Sequence, residues 1–147
     1  MAEEQIIQKE HQQIVDEVQG IVIRIGGALR RPQMIYNALY HPDLVATVDG
    51  KRFIPIEVIN SSYGFDVLGI LSLTLTKDII DNALIIVTDK MYNQAPDKFK
   101  EVCDLIEKFR KYSNSIYGNN LVILREHEVE GWFKSKIKES GLWSENL

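Results

Sequence analysis

A single cysteine, Cys103, leaves the chain without a partner for an intramolecular disulfide and without a Cys-x-x-Cys pair for a redox or zinc site. Long apolar runs are also missing. No stretch reaches the roughly 20 residues that a bilayer-spanning helix needs, and the amino terminus, MAEEQIIQKEHQQ, lacks the apolar core of a secretory signal. A cytoplasmic protein with no membrane contact is the expectation. Positive charge is in short supply: 17 Lys and Arg stand against 21 Asp and Glu, a net charge of -4. That balance disfavours general coating of nucleic acid, although a local basic patch can act beneath it. The four prolines and nine glycines build no linker, and neither a repeat nor a low-complexity segment divides the chain. His11, His41 and His127 are scattered without ligand spacing, which excludes an ordinary zinc site. Gly26-Gly27 lacks the rest of a dinucleotide or phosphate-loop fingerprint.

What remains, 45% hydrophobic and 26% charged residues in 147, is the composition of one compact domain, here residues 1–147. From about Glu3 to Gln19, Ile7, His11, Ile14, Val15 and Val18 recur at spacings of three and four, which predicts a helix with one buried face, ended by Gly20. GIVIRIGG then reads as a first strand, and ALRRPQMIYNALYH as a connection or short irregular strand. LVATV and RFIPIEVI flank Asp49-Gly50 and predict a hairpin. SSYGFDVLGILSLTLTKDIIDN suits a helix, with Leu68, Leu71, Leu75 and Ile79 on one side, although its LSLTLT alternation would also suit a strand. ALIIVTD reads as a buried strand and APDKFKEVCDLIEKFRKYSNSIYG as a helix, with Pro96 in its first turn. LVILR is a last strand, before a closing helix that turns Val129, Trp132, Phe133 and Ile137 inward. This order describes an α/β sandwich around one mixed sheet.

The hairpin governs whether two acids meet. With Val48-Asp49-Gly50 as a three-residue loop, Thr47 faces Lys51, Asp43 faces Pro55, and Glu57 shares the side of Asp43 as its diagonal neighbour. With Asp49-Gly50 alone as the loop, the register slips by one and the two acids point to opposite faces. Convergence of Asp43 and Glu57 therefore calls for the longer turn.

Pro42-Asp43, a short hairpin and a strand ending Ile56-Glu57-Val58-Ile59 resemble the motif of the PD-(D/E)XK nuclease superfamily. This is the restriction-endonuclease-like fold, which includes archaeal Holliday-junction resolvases. The resemblance implies a mixed central β-sheet flanked by helices, in the order helix, three-strand meander, helix, strand, and it covers about Ile6 to Asp89. It further implies that Asp43 and Glu57 are catalytic acids holding Mg2+ or Mn2+, with Glu17 or Glu10 of the first helix completing the site. Such hard cations take oxygen ligands, polarise a phosphoryl oxygen and lower the pKa of bound water. Ile59 stands where the family has lysine, and an aliphatic side chain neither holds the attacking water nor offsets phosphate charge. Lys51, Arg52 and Lys77 are the candidates to supply that cation from elsewhere.

Arg24, Arg30, Arg31, Lys51 and Arg52 are the candidate phosphate contacts to DNA. The expected activity is metal-dependent endonucleolytic cleavage of DNA, or nuclease-like DNA binding, and the resemblance implies a homodimer. The competing expectation is an inactive nuclease-fold module that serves protein interaction or assembly.

Overall fold

The computed structural model describes residues 2–30, 42–60, 80–113 and 121–140, apart from the side chains of residues 2–10, 109–113 and 140. Helix α1 spans Ala2–Arg24. Strands β1 (Ala28–Arg30), β2 (Leu44–Thr47) and β3 (Ile54–Ile59) follow, then β4 (Ala83–Val87), α2 (Asp89–Gln94), α3 (Pro96–Ser113), β5 (Leu121–Arg125), a 3-10 turn over Glu126–Glu128, and α4 (Val129–Ser140). The five strands form one mixed sheet in the order β1-β2-β3-β4-β5. β1, β2 and β3 pair antiparallel, whereas β3, β4 and β5 are parallel. The fold is thus α/β, with helices on both faces of the sheet. No helix among the described residues is long and apolar enough to cross a membrane.

The first strand is not where GIVIRIGG places it. Those residues are the last turns of α1, because Val18, Val22 and Ile25 continue the buried face begun by Val15. Gly20 is exposed and does not end the helix. Termination comes at Gly26, whose φ of 99° is left-handed. Gly27 N donates to Val22 O at 2.9 Å and Gly26 N to Ile23 O at 3.2 Å, the two bonds of a Schellman closure. A Cβ on Gly27 would meet Val22 Cγ1 at 2.9 Å. The alternation of isoleucine and valine that suggests a strand is therefore the helical face read at the wrong period.

Alternation along the strands sorts the sheet into two faces. Ala46, Ile54, Ile56, Val58, Leu84, Ile86 and Leu124 pack with Val15, Val18 and Val22 of α1 and with Val129, Phe133 and Ile137 of α4. Val45, Ile59, Ile85 and Val87 turn the other way, onto Met91 of α2 and Ile106 of α3. β4 is buried along its whole length, as a parallel strand covered on both faces must be.

The hairpin has a register that neither predicted turn provides. Leu44 faces Ile56, Val45 faces Pro55 and Ala46 faces Ile54, so the connection is longer than three residues. Asp49 organises it. Its Oδ1 accepts the N–H groups of Lys51 and Arg52, both at 2.8 Å, and Gly50 takes a left-handed φ of 77°. Burial alone would raise the Asp49 carboxyl, but these bonds and the Arg52 charge hold it below its ordinary value. The observed pairing keeps the parity of the three-residue turn and brings Asp43, just before β2, level with Glu57.

Candidate functional site at the carboxyl ends of the parallel strands

β2 stops at Leu44, opposite Ile56, so β3 runs on past it. The polar backbone of Val58 then needs other partners. Asp43 supplies one: its Oδ2 accepts Val58 N–H at 2.8 Å. His11, from α1, supplies the other, with Nε2 at 3.2 Å from Val58 O and 3.4 Å from Asp43 Oδ2. The Asp43 side chain is 21% exposed and that of His11 34%, so this cluster seals the seam between α1 and the sheet. Sequence spacing placed His11 on the buried face of the helix but gave no sign that it would meet Asp43.

Glu57 is 5% exposed, on the central strand. Its neighbours Ile56 and Val58 face α1, and Ile59 faces α3, so alternation sets Glu57 on the α3 face. Asp43 and Glu57 are thus neighbours in register, with the Asp43 carboxylate engaged toward α1. Among the described residues, no group of three or more His, Cys, Asp or Glu side chains is arranged to hold a metal ion. Ile59, at the lysine position of the motif, is 1% exposed and belongs to the core. Glu10 lies in α1, with its side chain outside the described part.

The candidate cations are dispersed. Lys51 and Arg52 sit at the hairpin, roughly 20 and 16 Å along the chain from Glu57 at about 3.3 Å per residue. Arg52 pairs with Asp49 and with buried Asp81, each at 3.4 Å. Lys136 of α4 completes that network, 2.7 Å from Asp81. Arg24 pairs with Glu130 and, by that hydrogen bond first, holds the Glu130 carboxyl below its ordinary value. Arg30 faces Val45, at the Asp43 end of the sheet, and donates to Leu29 O at 3.1 Å. Arg31 and Lys77, like the helix expected after Asn60, fall outside the described residues.

Glu17 belongs to a second constellation. Ile59 pairs with Val87 and Val87 with Arg125, so the next residues, Asn60, Thr88 and Glu126, form a row across the carboxyl ends of three parallel strands. All three line a cleft together with Gln13, Ile14 and Glu17 of α1. One lobe, of about 230 Å³, is lined by the aliphatic Ile14, Val18, Ile21, Ile86 and Val129 and by the polar Glu17, Asp89, Glu126 and His127. The adjoining lobe, of about 300 Å³, is lined by Asn60, Thr88, Glu17 and Glu126. Thr88 Oγ1 donates to Asn60 Oδ1 at 2.7 Å and accepts Met91 N–H at 3.1 Å. Asn60 is 4% exposed, and its Nδ2 has no hydrogen-bond partner among the described residues.

Glu126 Oε1 accepts Asp89 N–H at 2.6 Å. Burial pushes the Glu126 carboxyl above its ordinary value, and the charges of Asp89 and Glu17 push it the same way. Asp89 pairs with Arg125 at 3.0 Å, and the Arg125 guanidinium stacks 3.6 Å from the Tyr92 ring centroid. The sequence does carry a signal for this row: a polar residue follows each apolar strand directly, in IPIEVI-Asn60, ALIIV-Thr88 and LVILR-Glu126.

No protein-family model, curated protein or solved structure matches this chain.

Proposed function

We propose that the chain is a nuclease-like DNA-binding protein that does not hydrolyse the phosphodiester, built on a restriction-endonuclease-like framework. Its support from the fold is the order of elements: a helix, an antiparallel three-strand meander carrying Asp43 and Glu57 level with each other, and a fourth strand parallel to the third. The observation that carries the loss of hydrolysis is the use made of the motif. The Asp43 carboxylate is bound to Val58 N–H and lies beside His11, and the lysine position is the buried Ile59. An acceptor committed to a backbone N–H is a poorer metal ligand, and an aliphatic core residue offers the phosphate no charge. Arg30, at the same end of the sheet as Asp43, is the cation best placed to meet a DNA backbone.

One observation favours the second reading, a Mg2+- or Mn2+-dependent endonuclease. The register sets Asp43 beside Glu57, an acid kept inside an otherwise apolar central strand. Cleavage of plasmid, branched and single-stranded DNA in Mg2+ or Mn2+ separates the two. The expected result is no cutting, together with binding that falls steeply as salt rises and falls further in Arg30→Ala. Metal-dependent cutting by the wild type that is lost in folded Asp43→Ala and Glu57→Ala variants would establish the enzyme instead. Absence of both cutting and binding by folded protein would point to the assembly module. The homodimer belongs to the same proposal and is checked by sedimentation.

A further inference from the structure

We infer that the cleft between α1 and the row Asn60, Thr88 and Glu126 binds a nucleobase carrying an exocyclic amino group. The site sets the polar groups of Glu17, Asn60, Thr88 and Glu126 beside the aliphatic side chains of Ile14, Ile86 and Val129. A monosaccharide carries hydroxyls around its whole ring and would leave most of them unsatisfied over Ile14, Ile86 and Val129. A planar heterocycle with one polar edge fits that division, as bases held outside a helix are recognised by hydrogen bonds to their edge and apolar contact to their face.

The polar groups are those such an edge requires. Glu17 and Glu126 are acceptors for amino hydrogens. Asn60, which lines the cleft, is the counterpart donor: its Oδ1 is taken by Thr88, while its buried Nδ2 has no partner among the described residues. Buried amide hydrogens are almost always paired in folded proteins, and a ring nitrogen or carbonyl next to an amino group would pair this one. Adenine, cytosine and guanine each present that combination. Uracil has no amino group. The two lobes, of about 230 and 300 Å³, share Ile14, Glu17 and Glu126, and together they give a base room to lie over Ile14 with its polar edge toward Asn60. Lys90 and His127 also border the cleft and fit the phosphate or sugar attached to such a base.

The same base chemistry can come from a free nucleoside or from an unpaired position in DNA, and only the DNA arm rests on the DNA-binding reading above. Adenosine, cytidine, guanosine, uridine and ribose are titrated separately into the full chain, followed by amide chemical shifts and by calorimetry. A duplex with one unpaired cytosine is then titrated beside its fully paired counterpart. Saturable binding of at least one amino-bearing nucleoside is expected, tighter than uridine or ribose and weakened at least tenfold in Glu126→Gln. That variant keeps the acceptor for Asp89 N–H and the shape of the site. Glu17→Gln serves as a second variant should Glu126→Gln fail to fold.

No saturable binding of any nucleoside by folded wild-type protein overturns the inference. So does binding unchanged in both glutamine variants, or ribose binding as well as the nucleosides. Nucleoside binding without preference for the unpaired duplex leaves the cleft standing and identifies a mononucleoside as its ligand. Salt-sensitive DNA binding with no nucleoside response removes the cleft and leaves the DNA reading intact.

Discussion

Replacing Asp43 distinguishes a carboxylate that finishes a sheet edge from one that waits for a metal, because the two roles predict opposite signs. In the structure Asp43 Oδ2 accepts Val58 N–H at 2.8 Å and lies 3.4 Å from His11 Nε2. A hydrogen bond to a charged group contributes about 1.5–3 kcal/mol. With 21% of the side chain exposed, water can reach part of the site, which puts Asp43→Ala near the middle, at about 2 kcal/mol of destabilisation. For a chain of this size that is a fall in Tm of about 4–8 °C. Asp43→Asn keeps an acceptor but loses the charge, so it should cost about half as much. If Asp43 and Glu57 instead formed an uncompensated acid pair, Asp43→Asn would relieve repulsion and stabilise the metal-free protein. Mg2+ at 100 times its Kd would then stabilise the wild type by about 2.7 kcal/mol. Urea denaturation followed by circular dichroism, in chelator and again in Mg2+, reads every arm. Asp43→Asn exceeding the wild type in chelator, or Asp43→Ala falling within about 0.5 kcal/mol of it, would refute the framework role.

Phe133, fully buried between α4, α1 and the sheet, should cost about 3–5 kcal/mol of unfolding free energy when changed to alanine, measured by the same denaturation. Lys136→Met strips buried Asp81 of its nearer cation and should cost about 2–4 kcal/mol, since Arg52 remains at 3.4 Å. Much of that loss should return in Asp81→Leu/Lys136→Met, and a double variant no more stable than the single would contradict it. Glu126 has a raised pKa, so the folded chain holds its proton more tightly than the unfolded chain. Its contribution is favourable below the unfolded carboxylate's pKa and is lost as pH rises through the folded one. Glu126→Gln should therefore have the higher Tm at neutral pH, and the difference should vanish on acidification through the carboxylate range. An advantage that persisted or grew in acid would reject that account.

The elements that were legible in the chain are those whose burial is uniform or strictly periodic. ALIIV is apolar throughout and is the interior strand β4, buried on both faces. Phe99, Val102 and Ile106 recur at helical spacing and lie on α3 against the sheet. Val129, Phe133 and Ile137 do the same on α4. The reading failed at IVIRI, where β-branched residues satisfy both periods over a short window. There the outcome rested on whether Gly26 and Gly27 close a helix or follow a strand, and only packing of Val18, Val22 and Ile25 against the sheet distinguishes these.

Local residue order was enough to establish an α/β chain and the strand that carries Glu57, because these follow from short-range periodicity, whereas the two loops that Asp49-Gly50 allows left the parity between Asp43 and Glu57 open until the strands paired. The connection that accompanies the observed register is closed by Asp49, which gathers two backbone N–H groups in a turn longer than either loop read from Asp49-Gly50. What the acids touch was settled by long-range packing. α1 brings His11 to Asp43 from across the sheet, and parallel pairing aligns Asn60, Thr88 and Glu126 from three distant segments opposite Glu17. Side chains so far apart in the chain become neighbours only when the core has buried its apolar faces, so their chemistry is a property of the assembled sheet and helices.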